Sequence, residues 1–282
     1  MDIRKEYLKK SSSIIELALE EDIATGDITT KTIIPITESS TAKLIAKQEG
    51  VVAGLVIAKK VFETLEKKEI KWDQKIQDGD FVKPGTELVE LSTSYQTILS
   101  GERTALNFLQ RMSGIATKTR KLVDQLNGTK TKLLDTRKTI PGFRYLDKYS
   151  VLIGGGNNHR FGLYDMIMLK ENHIKTAGSI TNAVRQIRNK FHDKFKIEVE
   201  TTNINEVKEA IRSNVDIIML DNMTNELMGN CVKVINGKIE TEASGNISIE
   251  NIRSVALTGV NYISVGSITH SVKALDISLL IQ

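Results

Sequence analysis

The second half of this 282-residue chain repeats one pattern, in which a short apolar strand is followed by an amphipathic helix. Because the connections are short, successive strands must run parallel in one sheet. So many strand–helix units in succession favour a barrel or partial barrel, with a doubly wound open sheet as the alternative. The predicted strands cover residues 132–134, 166–169, 196–199, 215–220, 239–242 and 262–265.

Polar residues follow each predicted strand. The carboxyl ends of barrel strands converge on one face, where such enzymes keep their active sites. Cations follow the first two strands, carboxylates the next two, and small polar loops the last two. In chain order the groups are Arg137 with Lys138, Lys170, Glu200, Asp221, residues 244–246 and residues 266–267. Helix capping would explain one or two of these groups, but not six in succession.

Cations are concentrated between residues 133 and 174. Two strands each deliver a cation here, and a glycine turn at 154–156 leads to His159 and Arg160. Glycine lets the backbone approach a ligand closely. A solvated basic face is the ordinary interpretation of one such cation, but three clusters at equivalent positions predict a site for a small, highly anionic ligand.

The first part of the chain has a different pattern. A helix is predicted over residues 3–21, a half-buried strand over 41–48, a helix over 54–66 and a hairpin over 78–85. A mainly helical segment, 95–126, follows and is predicted to break near Gly114. We therefore expect an N-terminal α/β sandwich domain (1–115) and a (β/α) barrel domain (116–282). In this prediction a C-terminal helix, about 270–282, packs back on the first domain.

Composition excludes several other classes. The chain has no apolar run near the roughly 20 residues that a transmembrane helix needs. Its net charge of +4 and 5% aromatic content do not form the basic, aromatic-interleaved stripe of a nucleic-acid binder. One cysteine, Cys231, excludes an internal disulfide and is predicted to be a buried structural thiol. Without an apolar signal stretch near residue 1, we expect a cytoplasmic location.

Three motifs identify a family resemblance. DTRKTIPGFR (135–144), GGGNNHRFGLYD (154–165) and LKENHI (169–174) resemble quinolinate phosphoribosyltransferases, the type II phosphoribosyltransferases also called carboxylating nicotinate-nucleotide pyrophosphorylases. Weaker matches extend over nearly the whole chain. The resemblance implies transfer of a phosphoribosyl group from phosphoribosyl pyrophosphate to quinolinate, with decarboxylation to nicotinate mononucleotide in NAD biosynthesis.

The resemblance also implies a set of site residues. Quinolinate is expected among Arg103, Thr136, Arg137, His159, Arg160 and Lys170. The sugar phosphate is expected at Ser244, Gly245, Asn246, Val265, Gly266 and Ser267. Glu200 and Asp221 suit ribose hydroxyls or a hydrated Mg²⁺ held through water or substrate, and Lys138 with Mg²⁺ would neutralise the departing pyrophosphate. The catalytic set is then Lys138, Lys170, Glu200 and Asp221, with either lysine a candidate proton donor.

In this family Arg103 reaches the active site of the neighbouring subunit. The resemblance therefore implies a homodimer with shared active sites, and a higher oligomer stays open. Three alternatives remain from the sequence. They are a related barrel protein of molybdenum-transport operons, a non-catalytic anion-binding barrel, and a phosphosugar isomerase or aldolase on the same fold. The last would need one phosphate loop and fewer cations.

Overall fold

The computed structural model of the protein describes residues 3–66 and 68–282. Residues 1, 2 and 67 belong to the predicted N-terminal domain but lie outside the described part. The first half of the chain contains these elements: α1 (Ile3–Lys10), α2 (Ser12–Ile23), α3 (Ile28–Ile33), β1 (Ser39–Ala46), β2 (Gly50–Val51), α4 (Leu55–Leu65), β3 (Lys71–Gln74), β4 (Phe81–Val82), β5 (Glu87–Ser94) and α5 (Tyr95–Gln125).

The second half alternates strands and helices as the pattern predicted. Its elements are β6 (Lys132–Leu134), α6 (Arg144–Ile153), β7 (Ile167–Leu169), α7 (Glu171–Ala177), α8 (Ile180–Phe191), β8 (Ile197–Thr201), α9 (Ile204–Arg212), β9 (Ile217–Asp221), α10 (Asn225–Ile235), β10 (Glu240–Ser244), α11 (Ile252–Ala256), β11 (Tyr262–Ser264), α12 (Ser267–His270) and β12 (Ile277–Ile281). All six predicted strands are present, with ends shifted by a residue or two.

The chain divides into two compact units. The first contains the described residues up to 120 together with 139–155 and 267–282, and the second contains 121–138 and 156–266. The predicted division at 115–116 lies near the end of the first stretch. Two later segments, 139–155 and 267–282, also belong to the first unit. Hydrophobic periodicity along the chain cannot predict this, because it reports only on neighbouring residues.

An antiparallel sheet with the order β12-β1-β5-β3 organises the first unit. Its edge strand β12 corrects the predicted C-terminal helix. Residues 277–281 pair with β1, from Ile277 opposite Ala46 to Ile281 opposite Ala42. Ile277 and Leu279 are buried, so the segment has the two-residue period of a half-buried strand. The edge of β1 supplies backbone partners that a short terminal helix would lack.

Helix α5 is continuous, so the predicted break near Gly114 is wrong. Instead, Gly114 allows the backbone near Lys273 to pack closely against α5. A Cβ atom at this position would lie 2.3 Å from the carbonyl oxygen of Lys273, far inside van der Waals contact. Favourable packing of the segment around Lys273 explains why glycine is placed inside a long helix despite its low helix propensity.

Six parallel strands form the sheet of the second unit, in the order β6-β11-β10-β9-β8-β7. This order, with helices in every connection, is the predicted partial (β/α) barrel rather than a doubly wound sheet. Helix starts are capped locally: for example, the Asn203 side chain accepts hydrogen bonds from the backbone N–H groups of Asn205 and Glu206. Among the described helices, none has the length and apolarity required to cross a bilayer.

Candidate active site

Strand register places polar side chains of β8, β9 and β10 at one edge of the second unit's sheet. Ser244 pairs with Asp221 at the strand ends. One level deeper, Met219 pairs with both Glu242 and Glu200. Paired residues project from the same face of a sheet. Carboxylates therefore extend from the strand ends into the interior on this face.

Lys170 and Glu200 form an ion pair at the ends of two neighbouring strands. Lys170 Nζ lies 2.9 Å from Glu200 Oε2, across the neighbouring strands β7 and β8. The backbone N–H of Lys170 donates to His173 Nδ1 at 3.1 Å, which fixes the start of α7. About half of the Lys170 side chain is exposed (51%), so a ligand can reach the ammonium group.

Two guanidinium groups lie near one another in the second unit. Burial and, after it, the positive charge of Arg137 lower the pKa of Arg160. Arg160 is held in place by a 2.9 Å hydrogen bond from Nη1 to the carbonyl of Met166. In the preceding loop, Thr136 Oγ1 accepts the backbone N–H of Lys138 at 3.0 Å. Adjacent like charges are unfavourable in the absence of an anion, so this arrangement is typical of an anion site.

Asp135 fixes the loop that carries His159 and Arg160. It is fully buried and accepts hydrogen bonds from the His159 backbone N–H and from Asn158 Nδ2, both at 2.8 Å. Asn157 also forms a parallel bridge with Leu134 of β6. The sequence analysis gave Asp135 no role, although it opens the first family motif.

A buried cluster of His159, Glu198 and Glu242 lies beneath this loop. His159 Nε2 is 3.0 Å from Glu198 Oε2 and 3.2 Å from Glu242 Oε2, and the three side chains are 7%, 0% and 1% exposed. Nε2 therefore faces both carboxylates at once. On the other side of the ring, Nδ1 accepts the backbone N–H of Arg160 at 2.7 Å.

The cluster retains protons at neutral pH. Burial lowers the pKa of His159 and the Glu198 and Glu242 carboxylates raise it, but a proton on Nδ1 would collide with the Arg160 N–H directed at it, so the ring holds a single proton, on Nε2. Burial, with the charge of Glu242, raises the pKa of Glu198 to about 7, and the contact with His159 opposes this rise. Since Nδ1 accepts from Arg160, the protons lie on the Nε2 side of the ring, between His159 and the two carboxylates.

The sequence analysis missed Glu198 and Glu242. A signal was present, because each is an acidic residue inside a predicted strand and two residues before a predicted site position: Glu198 before Glu200, and Glu242 before Ser244. In a strand, residues two apart share a face. Acidic residues at these positions must therefore point toward the same interior as the site.

Asn222 links two of the predicted groups. Its Nδ2 donates to Asp221 Oδ2 at 2.7 Å, and its Oδ1 accepts from Asn246 Nδ2 at 3.1 Å. The backbone of Asn222, Gly245 and Asn246 is left-handed, with φ of 53°, 99° and 51°. A Cβ on Gly245 would lie 2.2 Å from Asn222 Oδ1, so only glycine permits this contact.

The remaining predicted residues have the following positions. Val265 is buried and its N–H donates to the carbonyl of Leu134 at 3.0 Å, which holds the strand end before Gly266. Ser267 begins α12 and Arg103 is exposed on α5, and both belong to the first unit. All predicted site residues apart from Arg103 and Ser267 belong to the second unit.

Glu200 and Asp221 fit the oxygen-ligand chemistry of Mg²⁺. Both side chains are only partly buried, so hydrated metal could reach them. One oxygen of each is already engaged, Glu200 Oε2 by Lys170 and Asp221 Oδ2 by Asn222. The second oxygen of each carboxylate is the better placed acceptor for a metal-bound water.

A parallel partial barrel whose strand ends carry cations, carboxylates and small polar loops is typical of enzymes that act on phosphorylated substrates. Family models for the quinolinate phosphoribosyl transferase N-terminal and C-terminal domains match residues 27–113 and 115–280. The chain belongs to the quinolinate phosphoribosyl transferase family.

Individual relatives agree with this assignment. The chain is 46% identical over 259 residues to a probable carboxylating nicotinate-nucleotide pyrophosphorylase of Bacillus subtilis, covering 92% of this chain and 89% of the relative. It is 43% identical to the chloroplastic nicotinate-nucleotide pyrophosphorylase of Arabidopsis thaliana, covering 96% and 82%. The solved nicotinate-nucleotide pyrophosphorylase of Francisella tularensis superposes with a TM-score of 0.93 at 43% identity, covering 97% and 96%.

Proposed function

We propose that the protein transfers the phosphoribosyl group of phosphoribosyl pyrophosphate to quinolinate. The products are nicotinate mononucleotide, CO2 and pyrophosphate. The family match over residues 27–113 and 115–280 carries this proposal, and the neighbouring Arg137 and Arg160 supply the positive charge that a dicarboxylate needs. Quinolinate, the substrate in the names of the family and of several relatives, is a dicarboxylate.

Quinolinate binds through its two carboxylates. Arg137 and Arg160 each offer the planar fork that pairs with a carboxylate in a bidentate manner, which a lysine cannot reproduce. Lys170, from the end of β7, adds a third positive charge, while Thr136 shapes the loop before Lys138. This inventory distinguishes a dicarboxylate from nicotinate, which has one carboxylate.

Phosphoribosyl pyrophosphate binds at the loops after β9, β10 and β11. Backbone N–H groups and small side chains at Ser244, Gly245, Asn246, Val265, Gly266 and Ser267 hold the 5-phosphate. Asp221 and Glu200 hold the ribose hydroxyls and a hydrated Mg²⁺, which supplies charge neutralisation to the pyrophosphate when bound. Lys138 is exposed at the end of the β6 loop and contacts the same leaving group.

Chemistry proceeds by positioning and preorganised charge. The C1–O bond of the ribose breaks with oxocarbenium character, its electron pair leaves with pyrophosphate, and the pyridine nitrogen forms the new bond to C1. Glu200 and Asp221 offset positive charge at C1. The cationic ring then accepts the electron pair released as the adjacent carboxylate leaves as CO2, and Lys138 or Lys170 donates the proton to that ring carbon.

The active protein is a homodimer in which Arg103 of one chain completes the site of its partner. Exposure of Arg103 on α5 is compatible with this role. Oligomers larger than a dimer stay open, and the cytoplasmic location stays a prediction.

The proposal is tested by incubating the purified protein with quinolinate, phosphoribosyl pyrophosphate and Mg²⁺. We expect nicotinate mononucleotide, CO2 and pyrophosphate in equal amounts, and loss of turnover when Mg²⁺ is removed with a chelator. The matched reaction replaces quinolinate by nicotinate. Turnover of nicotinate but not of quinolinate would show that the dicarboxylate assignment is wrong, and binding of both substrates without turnover would favour the non-catalytic barrel.

A further inference from the structure

We infer that Glu198 and Glu242 act through His159 to position Arg160 for one carboxylate of quinolinate. This inference rests on the proposed function and deepens it. It makes His159 a positioning residue, whereas the family resemblance placed it among the groups that surround quinolinate. Neither glutamate was among the predicted site residues.

Both ring nitrogens of His159 are engaged inside the protein. Nε2 faces the two buried carboxylates at 3.0 and 3.2 Å, and Nδ1 accepts the Arg160 backbone N–H at 2.7 Å. A neutral imidazole has one donor and one acceptor nitrogen. The Arg160 contact therefore requires the proton on Nε2, directed at the glutamates, and no ring nitrogen is left for a ligand.

Three strands converge on His159. Asp135, which directly follows β6, holds its backbone, while Glu198 of β8 and Glu242 of β10 hold its ring. Rigid strands position a side chain more accurately than a loop does. Burying two carboxylates is costly unless a group compensates them, so their presence here indicates that the orientation of the ring matters.

A metal site is the main alternative, because one histidine and two glutamates are a common ligand set and their ligand atoms lie within 4.8 Å of one another. A histidine that binds a metal through Nε2 donates its Nδ1–H to an acceptor. Here Nδ1 is itself the acceptor, from Arg160 N–H. The direction of this hydrogen bond therefore favours the Nε2–H group of His159, rather than a metal ion, between the two carboxylates.

The guanidinium of Arg160 is the functional end of this chain of contacts. Nη1 donates to the carbonyl of Met166, the residue before β7, at 2.9 Å. Nη2 lies 3.5 Å from Sδ of Met168, which is in β7. These contacts leave other N–H groups of the fork for an anion. With the backbone N–H held by His159, the side chain is fixed at both ends, and bidentate pairing depends on such accuracy.

The first test compares substrate affinities in the Glu198→Gln and Glu242→Gln variants. Each keeps the shape of the side chain but removes the charge that attracts the ring N–H. We expect KM for quinolinate to rise about tenfold, the change that corresponds to weakening one charge-assisted contact, with KM for phosphoribosyl pyrophosphate unchanged. Glu240→Gln is the matched control: it lies on β10 two residues before Glu242 and binds Tyr262 Oη instead.

A double-mutant cycle identifies the route of the effect. Arg160→Lys alone should weaken quinolinate binding, and adding Glu198→Gln should produce no further loss, because the glutamate acts through the arginine that is already altered. An equal rise in KM for both substrates, or additive losses in the double variant, would overturn the inference. If wild-type protein does not turn over quinolinate, the proposed function fails first.

The geometry can also be tested without any substitution. In wild-type protein labelled with ¹⁵N-histidine, NMR should show an unprotonated Nδ1 and a protonated Nε2 at both His159 and His173, because the Lys170 N–H donates to Nδ1 of His173. The buried His159 is recognised by slow exchange of its Nε2 proton with solvent. A protonated Nδ1 at His159 would overturn the inference, because that nitrogen could not then accept from Arg160. This measurement can overturn the inference even if the glutamine variants fail to fold.

Discussion

Lys170 and Glu200 form an ion pair, with Nζ 2.9 Å from Oε2, that joins the ends of strands β7 and β8. The lysine is 51% exposed and the glutamate 18%. An ion pair this exposed contributes about 0–1 kcal/mol to stability. We therefore expect this ion pair to matter for substrate binding and turnover rather than for the stability of the fold.

Replacing Lys170 by Met should separate these two effects. We expect kcat/KM to fall by about 10²-fold or more, since one preorganised charge at the reacting groups is lost. The melting temperature should stay close to that of wild type. Steady-state kinetics and calorimetry provide the two readouts, and a large fall in melting temperature with normal kinetics would reverse the interpretation.

Asn222 should couple the ribose-binding carboxylate to the phosphate loop. The Asn222→Ala variant removes both side-chain contacts, to Asp221 and from Asn246. We expect KM for phosphoribosyl pyrophosphate to rise about tenfold, as for one hydrogen bond to a charged group. Asn225→Ala is the control, because it removes an exposed hydrogen bond from Asn225 of α10 to Ser254 of α11. Equal kinetics in the two variants would contradict the coupling.

Two glycines inside helices should respond oppositely to alanine. At Gly114 the added Cβ would meet the Lys273 carbonyl oxygen at 2.3 Å, so Gly114→Ala should destabilise the fold by about 1–3 kcal/mol. At Gly229 of α10 a Cβ would contact no atom within 4 Å, so Gly229→Ala should stabilise by about 0.4–1 kcal/mol. Urea unfolding of both variants provides the comparison, and stabilisation by both would show that α5 can shift.

Glu66 should contribute to acid sensitivity. Burial tends to raise its pKa, but hydrogen bonds outweigh burial and lower the pKa from 4.5 to about 2. The donors include the Lys68 backbone N–H at 3.2 Å and the hydroxyls of Thr93 and Thr97 at 3.1 and 3.2 Å. A depressed folded-state pKa adds stability above pH 4.5, and that stability is lost as the pH falls toward 2.

Glu66→Gln should therefore be less stable than wild type near pH 7, with the difference shrinking as the pH falls through 4.5 toward 2. Thermal unfolding across this range measures the difference. Glu63→Gln, which removes an exposed carboxylate paired with Lys59 in the same helix, is the control. A constant difference at every pH would mean that the charge of Glu66 is not the cause.

Arg103 should act in the site of the partner chain. Arg103→Ala and Lys138→Ala are each expected to inactivate a homodimer. In a mixed dimer, one site would carry both lesions and the other neither, so activity should recover toward half that of wild type. If verified subunit exchange gives no recovery, Arg103 acts within its own chain.

The sequence by itself determined the parallel sheet and the cations at its edge. Both depend on local patterns: most strands of the second unit are short apolar runs, Lys170 directly follows β7, and Arg137 lies three residues after the end of β6. The two-residue hydrophobic period of a strand is a local property, because side chains alternate between the two faces of the sheet. The parallel direction of the strands follows from the short helical connections between them.

Tertiary structure decided the features that join distant parts of the chain. The terminal segment 277–281 became a strand because β1, more than 200 residues earlier, offered its edge. Gly114 proved to be a packing residue because Lys273 crosses α5 at that point. His159 acquired its partners from β8 and β10, since burial and sheet order, rather than spacing along the chain, bring Glu198 and Glu242 to one ring nitrogen.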